Sequence, residues 1–540
     1  MRGRAGILQS TGFCAALSLV LVTAFRLPEL LNPGVVNSDS AIVGLQAMHG
    51  LNGEWHWFLW GSGYQTTADP AVAAVVFALF GPTSLMLLLT ALLGHLLATL
   101  LAYLTLNRHF SPWVALLLVA PFIASPAPTH TYTLHPPRQT ALTLVFLAIW
   151  ILDGAAHSRR PLLRMTLGAG VVALSWFADP YALVFAPGLA LLIVFCAFDV
   201  TDSRGYKWRS LSAAAIGGVV GALPFLLSRL HRDAVSGPLS FSRDLLSRNW
   251  TLLWDSCLPW VLGTRVLHQP AGASGYVVWR PPAIFLVIQW LGALSLATAV
   301  LLALLWAFER RMDWAPRRLG VSSAVVVVTS LAGFLLSVMP MDHFASRYLV
   351  SLVLVAPFVF AVVARRVRPW VLGVIMAPML VSFAVCGWLG YEPLVDGLRV
   401  VDARLEHDEG QLLRELQKRG IKVAMADYWA AYRLTFLFKE AVVVIPMHES
   451  QDRYSPYRAR FMAAARFAYI YDHKRSEESQ QTVDEHVADG LEEKFSVGDF
   501  DAYVVRRDSN SLVASTQELS TSKFELSHLP ERVGIPSADR

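Results

Sequence analysis

The chain has 540 residues, of which 55% are apolar and only 16% charged, with a mean hydropathy of +0.46. Soluble domains carry about 25% charged residues, so this composition excludes a cytosolic globular protein, a disordered chain and a small disulfide-stapled scaffold. The formal net charge of +5 is unevenly spread: residues 1–389 hold 25 basic and 14 acidic residues, residues 390–540 hold 20 and 26. The positive excess lies between apolar runs and forms no patch, which points to membrane topology and excludes nucleic acid as a partner. Cys14, Cys196, Cys257 and Cys386 show no CxxC or paired spacing, so neither a disulfide framework nor a zinc site is expected.

A helix needs about 20 mostly apolar residues to cross a bilayer, because lipid offers backbone groups no partner. Runs of this kind, two of them short, occur at 6–25, 83–106, 112–125, 139–153, 162–178, 181–198, 211–228, 283–307, 320–338, 348–364 and 370–388, predicting eleven spans. No small-x-small cleavage site precedes Arg26, so the first run reads as a retained anchor. Alternate connections carry Arg108; Arg159, Arg160 and Arg164; Arg204, Lys207 and Arg209; Arg310, Arg311, Arg317 and Arg318; and Arg365, Arg366 and Arg368. Segment 27–70 has no Lys or Arg. The positive-inside rule then puts the N-terminus in the cytoplasm, and 27–70 and the C-terminal region outside.

Two outer loops are long. Residues 27–82 hold short helical pieces starting near Asp39 and Asp69. Residues 229–282 hold Trp250, Trp254, Trp260 and Trp279 among arginines, a pattern that suits an interfacial amphipathic segment or an aromatic belt. Asn249-Trp250-Thr251 matches the N-glycosylation pattern and reads as incidental. After residue 390 the composition becomes soluble. Helical patterns at 405–419, 428–438 and near 456–467 alternate with strand-like Ile421–Ala426, Ala441–Ile445 and Ala468–Tyr471. That alternation predicts a small α/β domain over 390–510 with a mainly parallel sheet. It contains no G-x-G-x-x-G or P-loop, and residues 511–540 read as a Ser-rich mobile tail.

A transporter is expected to carry ionisable residues mid-span. Here the polar residues Asp39, Asp69, His135, Arg138, Asp179, Asp342, His343 and Arg347 fall at the outer ends instead, where an enzyme meets a lipid-borne substrate. Ile42, Leu45 and Met48 share one helical face, so Asp39 starts an interfacial helix. Either Ser38 or Asp39 caps that helix, or Asp39 is a general base for an acceptor hydroxyl or amine. Asp69-Pro70 carries the same two readings. His135 and His343 read equally as loop residues, Asp342-His343 as a proton relay or a plain turn, and Asp179-Pro180 as a turn. Asp427-Tyr428-Trp429 and Tyr432-Arg433 read as a sugar-stacking surface or as helix packing.

The run 38–82, SDSAIVGLQAMHGLNGEWHWFLWGSGYQTTADPAVAAVVFALFGP with its flanking residues, resembles the first outer loop of the GT-C superfamily of membrane glycosyltransferases. It is most similar to bacterial proteins related to protein O-mannosyltransferases and to the aminoarabinose transferase of lipid A. Asp39 matches the acidic residue taken there as catalytic base, Gly61-Ser62-Gly63-Tyr64 a Gly-x-x-Tyr stretch, and Asp69-Pro70 a later acidic-Pro pair. Arg347-Tyr348-Leu349 resembles the Arg-Tyr-Leu signature at the outer start of a late span. The resemblance implies an inverting transferase that moves a sugar from a polyisoprenyl phosphate to a lipid, glycan or protein acceptor at the outer face of a bacterial cytoplasmic membrane. It implies Asp39 and Asp69 as catalytic residues, and Arg347, Arg138, Tyr64, His135, Tyr348 and His343 as the substrate-binding set. Arg243, Arg248, Arg265 and Arg280 are further phosphate candidates. Where many relatives have two adjacent acidic residues this chain has Ser38-Asp39-Ser40, so a divalent metal is not supported and no cofactor is expected. A lipid-linked sugar flippase and a non-catalytic envelope assembly factor are the competing readings.

Overall fold

The computed structural model describes residues 2–31, 36–199, 204–230, 242–268, 277–308, 314–389, 401–473, 483 and 490–507. The chain forms two compact units, Met1–Ala403 and Arg404–Arg540. The expected tail 511–540 lies outside the described residues, as do Arg310 and Arg311.

The first unit is helical. In chain order its helices are α1 (Arg2–Leu30), α2 (Ser38–Leu51), α3 (Ala68–Phe80), α4 (Ser84–Asn107), α5 (Pro112–Leu118), α6 (Ala120–Ile123), α7 (Ala127–Leu134), α8 (Gln139–Asp153), α9 (Pro161–Ala178), α10 (Ala186–Asp199) and α11 (Arg204–Arg229). There follow α12 (Arg243–Leu252), α13 (Leu258–Val261), a β1–β2 hairpin (Val266–His268, Val277–Trp279), α14 (Ala283–Leu305), α15 (Trp314–Leu336), a 3-10 helix His343–Leu349, α16 (Val350–Ala364) and α17 (Pro369–Leu389). Among the described residues nine helices are long and apolar enough to cross a membrane, against the eleven expected. The two that fall short are the expected 112–125 and 139–153. The first is broken into α5 and α6 before α7, because Pro121, Pro126 and Pro128 each remove a backbone donor. The second is intact but only 15 residues long, about 22 Å at 1.5 Å per residue.

Helix α16 is the axis of this unit: every side chain from Val350 to Val363 is buried, as befits a helix apolar on all sides. It packs against α15, α14 and the broken α5–α7 region. Helices α9 and α11 cross at backbone contact, since a Cβ on Gly217 would run into the Thr166 carbonyl oxygen. The two ends of the bundle differ chemically. At one end the buried Asp153 meets Arg108 at 3.1 Å, His109 at 3.0 Å and Arg318 at 2.8 Å, and Arg318 also pairs with Asp199. At the other end of α8, the residues leading into it, Pro136 and Arg138, meet α2, α3 and Asp179, the cap of the 3-10 turn Pro180–Phe185.

The second unit holds α18 (Val401–Lys418), β3 (Val423–Ala426), α19 (Tyr428–Leu437), β4 (Val443–Pro446), α20 (Ser455–Met462), β5 (Arg466–Asp472), β6 (Leu491–Val497) and β7 (Phe500–Arg506). The sheet order is β4-β3-β5-β7-β6. Strands β3, β4 and β5 are parallel as expected. The β6–β7 hairpin adds two antiparallel pairings that correct the mainly parallel expectation. Its turn is Gly498, at φ +54°, a conformation that favours glycine. The expected polar–aromatic surface is largely interior: Tyr428, Tyr432 and Arg433 are buried, and Arg433 pairs with Glu409.

Candidate active site

The site is assembled from the first turns of several helices. Asn37, extended at φ −97°, ψ 174°, caps α2 by accepting from Ser40 N at 2.9 Å. The capping task expected of Ser38 or Asp39 therefore falls to Asn37, and Asp39 stands half-buried in the first turn. There its charge acts on the phenol of Tyr132 from α7. Ser40 Oγ donates to the Pro136 carbonyl at 2.9 Å, fastening α2 to the segment that carries Arg138.

Asp69 does not cap its own helix. Thr67 occupies that position, and the Asp69 carboxylate crosses to α8. It accepts from Arg138 N at 2.8 Å, Thr140 N at 3.0 Å and Thr140 Oγ1 at 2.9 Å. Burial pushes its carboxyl pKa up and Asp179 adds to this, while the three hydrogen bonds oppose. Arg138 itself has φ +130°, a conformation costing about 1–3 kcal/mol that persists only where surrounding contacts impose it. Asp69 is one such contact.

Above this ring two guanidinium groups share one aromatic. Arg138 lies 4.5 Å from the centroid of Tyr181 and 5.9 Å from that of Tyr348. Arg347 lies 5.1 Å from Tyr348 and donates to its hydroxyl at 3.3 Å, and its charge acts on the Tyr132 phenol as well. Asp179 holds Arg138 through Nε at 3.3 Å and accepts from Gln65 Nε2 at 3.0 Å and Tyr181 N at 2.8 Å. Tyr181 also accepts from Ser351 N at 3.1 Å, which ties the start of α16, and with it Arg347-Tyr348, to the same cluster. Tyr64 sits within range of both arginines, Asp179 and Tyr348; burial, then Asp179, raises its phenol pKa to about 12. One donor is left over: Arg138 Nη1 is buried and meets no acceptor among the described residues.

Thus Asp39, Tyr64, Asp69, Arg138, Arg347 and Tyr348 come together. Two expected members do not. His135 turns away to Glu29, Nε2 to Oε1 2.6 Å. His343 packs on Trp260 at 5.7 Å and Phe344 at 4.1 Å, and Asp342 accepts from Phe344 N at 2.8 Å as a cap rather than serving a relay. Arg248 and Arg265 are committed to the carbonyls of Pro340 and Asp255, and Arg243 lines an apolar groove with Leu246, Trp250 and Leu335. The Asn249 amide is buried and donates to the carbonyls of Phe334, Leu335 and Ser337, so it is spoken for within the fold. Sequence reasoning missed Tyr132 and Gln65 and took Asp179 for a turn; the Asp-Pro pair was visible, but its partners were not. Among the described residues no group of three or more His, Cys, Asp or Glu could hold a metal ion.

Fold and site together define a polytopic helical membrane protein of the GT-C fold, with a cluster of two arginines and three tyrosines at one end of α8. Among solved structures the chain is similar to ArnT from Cupriavidus metallidurans bound to undecaprenyl phosphate: TM-score 0.53, 11% identity, covering 91% of this chain and 97% of that one. It is equally similar to apo ArnT from that organism, with TM-score 0.54, 11% identity and coverage of 95% and 99%. The Archaeoglobus fulgidus oligosaccharyltransferase in its apo form aligns with TM-score 0.42, 10% identity and coverage of 81% and 64%. No protein-family model and no curated relative matches the chain.

Proposed function

We propose that the protein is an inverting glycosyltransferase that moves a sugar from a polyisoprenyl phosphate to an acceptor hydroxyl or amine at the outer face of a bacterial cytoplasmic membrane. The observation that carries this reading is the unused N–H of Arg138, buried beside Arg347, Tyr64 and Tyr348. A buried cationic donor without an acceptor is costly, and an anionic oxygen of a phosphate is the partner its planar fork matches. Asp39, whose charge acts on the same Tyr132 phenol as Arg347, is the base. As the acceptor oxygen or nitrogen attacks the anomeric carbon, its proton passes to the Asp39 carboxylate. The bond from that carbon to the phosphate oxygen breaks with its electron pair going to the phosphate, whose growing charge Arg138 and Arg347 stabilise. Asp69, with its oxygens on α8, sets the backbone of Arg138. The Arg-rich connections at the opposite end of the bundle support the sidedness, with the C-terminal unit outside the cytoplasm. The ArnT structure with undecaprenyl phosphate supports the donor class.

One observation favours a second reading. Arg26 and Glu29, within the first span, are buried and charged, as in a lipid-linked sugar transporter. Purified protein in vesicles separates the two: the transferase consumes a sugar-linked polyprenyl phosphate, and Asp39→Asn lowers kcat by about 10²–10⁴ with the unfolding temperature unchanged. Undiminished transfer by that variant removes Asp39 as base, and movement of the donor across the bilayer without its consumption supports the transporter.

A further inference from the structure

Glu29 lies near the end of α1, buried, and its partners come from the far side of the sequence. Oε1 hydrogen-bonds His135 Nε2 at 2.6 Å, and Oε2 lies 3.3 Å from His130 Nε2 without making a hydrogen bond to it. One turn earlier Arg26 is fully buried and donates to Thr133 Oγ1 at 3.0 Å. His95 faces Arg26 and His130 from α4 while its Nε2 bonds the Phe122 carbonyl at 3.0 Å. A carboxylate in such a place costs several kcal/mol unless it is paired, and here both neighbouring imidazoles come from one short stretch, residues 130–135. That stretch carries Tyr132, whose phenol lies within electrostatic range of Arg347, and runs directly into Arg138.

We infer that Glu29 is a positioning residue for the phosphate site: gripping His130 and His135, it sets Tyr132 and Arg138 without itself reaching the substrate. The inference rests on the transferase reading above. The physical need is the strained backbone of Arg138, which must be over-determined to persist. Ser40 and Asp69 anchor the 136–138 side; Glu29 anchors the 130–135 side. The geometry that results is the kind in which a misplacement of about 1 Å costs about 10² in rate.

The test uses the full-length protein in vesicles with a sugar-linked polyprenyl phosphate, comparing wild type, Glu29→Gln, Glu29→Asp, His135→Asn and the Glu29→Gln/His135→Asn pair. Unfolding temperature and affinity for sugar-free polyprenyl phosphate are measured on each. Glu29→Gln is expected to lower kcat per folded molecule about 10²-fold, with donor KM moving far less. Glu29→Asp recovers at least about tenfold of that loss, since charge and two oxygens remain, and the pair is no slower than its worse single variant because both act as one unit. A Glu29→Gln enzyme that turns over like wild type, or whose loss tracks the unfolded fraction alone, overturns the inference while leaving the transferase reading intact, as does an additive pair. If wild type neither transfers sugar nor binds polyprenyl phosphate, the transferase reading fails and this inference fails with it.

Discussion

Arg138 is asked to do two things at once, and the structure says how to separate them. Its Nε balances Asp179, which is 2% exposed, while Nη1 is buried with no acceptor among the described residues and is assigned to a phosphate oxygen only by the proposed function. Arg138→Ala removes both functions. Stranding a buried carboxylate destabilises by about 3–5 kcal/mol, moderated here because Gln65 and the Tyr181 N–H also serve Asp179. Losing one preorganised donor to a developing oxyanion costs about 10²–10³ in kcat. Arg138→Lys keeps a charge for Asp179 but loses the fork and the stacking on Tyr181 and Tyr348, so it should stay folded and still lose about 10² in kcat. Adding Asp179→Asn to Arg138→Ala should restore the unfolding temperature without restoring transfer. The assay is single-turnover sugar transfer in vesicles beside thermal unfolding in detergent. If the Arg138→Ala/Asp179→Asn protein regains transfer along with stability, Arg138 is merely the partner of Asp179 and the phosphate role is wrong.

Three further outcomes follow from the same contacts. Asp69→Ala strands two buried N–H groups at about 1–3 kcal/mol each and should lower the unfolding temperature markedly. Asp69→Asn, which keeps an acceptor oxygen, should cost less than about tenfold in kcat; a loss of 10² or more would mark Asp69 as an acid or base in the reaction. Burial, then Arg26, depresses the His130 pKa to about 4 from an ordinary 6.5, so the unfolded chain binds the extra proton first. Stability is expected to be full above about pH 6.5 and to decline as pH falls towards 4, by about 3 kcal/mol in all; urea unfolding of His130→Asn with the same pH slope would contradict this. In the C-terminal unit, Glu409→Ala leaves Arg433 buried without its carboxylate. It should cost about 3–5 kcal/mol, whereas Glu409→Met with Arg433→Met together should be near neutral; equal unfolding shifts for the two proteins would refute that.

Local patterning reached far along this chain. Apolar runs located the nine long helices among the described residues within a few residues, the alternation after residue 390 located three parallel strands, and the Ile42, Leu45, Met48 face placed Asp39 in a first turn. The antiparallel β6–β7 hairpin escaped because its two strands break the alternation: β7 is buried along six of seven residues, and β6 is exposed along most of its length. These features follow from the spacing of apolar residues, which reports one helix or strand at a time.

Which polar group serves which is a different matter. Asp69 and Arg138 are 69 residues apart, Gln65 and Asp179 are 114 apart, and Glu29 reaches His135 over 106. Nothing in the periodicity of either segment records such a pairing, since a carboxylate at a helix start looks alike whether it caps its own turn, another helix or nothing. Composition and spacing made this chain a membrane bundle with an outer acidic loop. Only the packing of α1, α3 and α8 showed that Asp69 and Glu29 are engaged by distant parts of the protein itself, because burial makes each charge settle on whichever partner the fold brings within 3 Å or so.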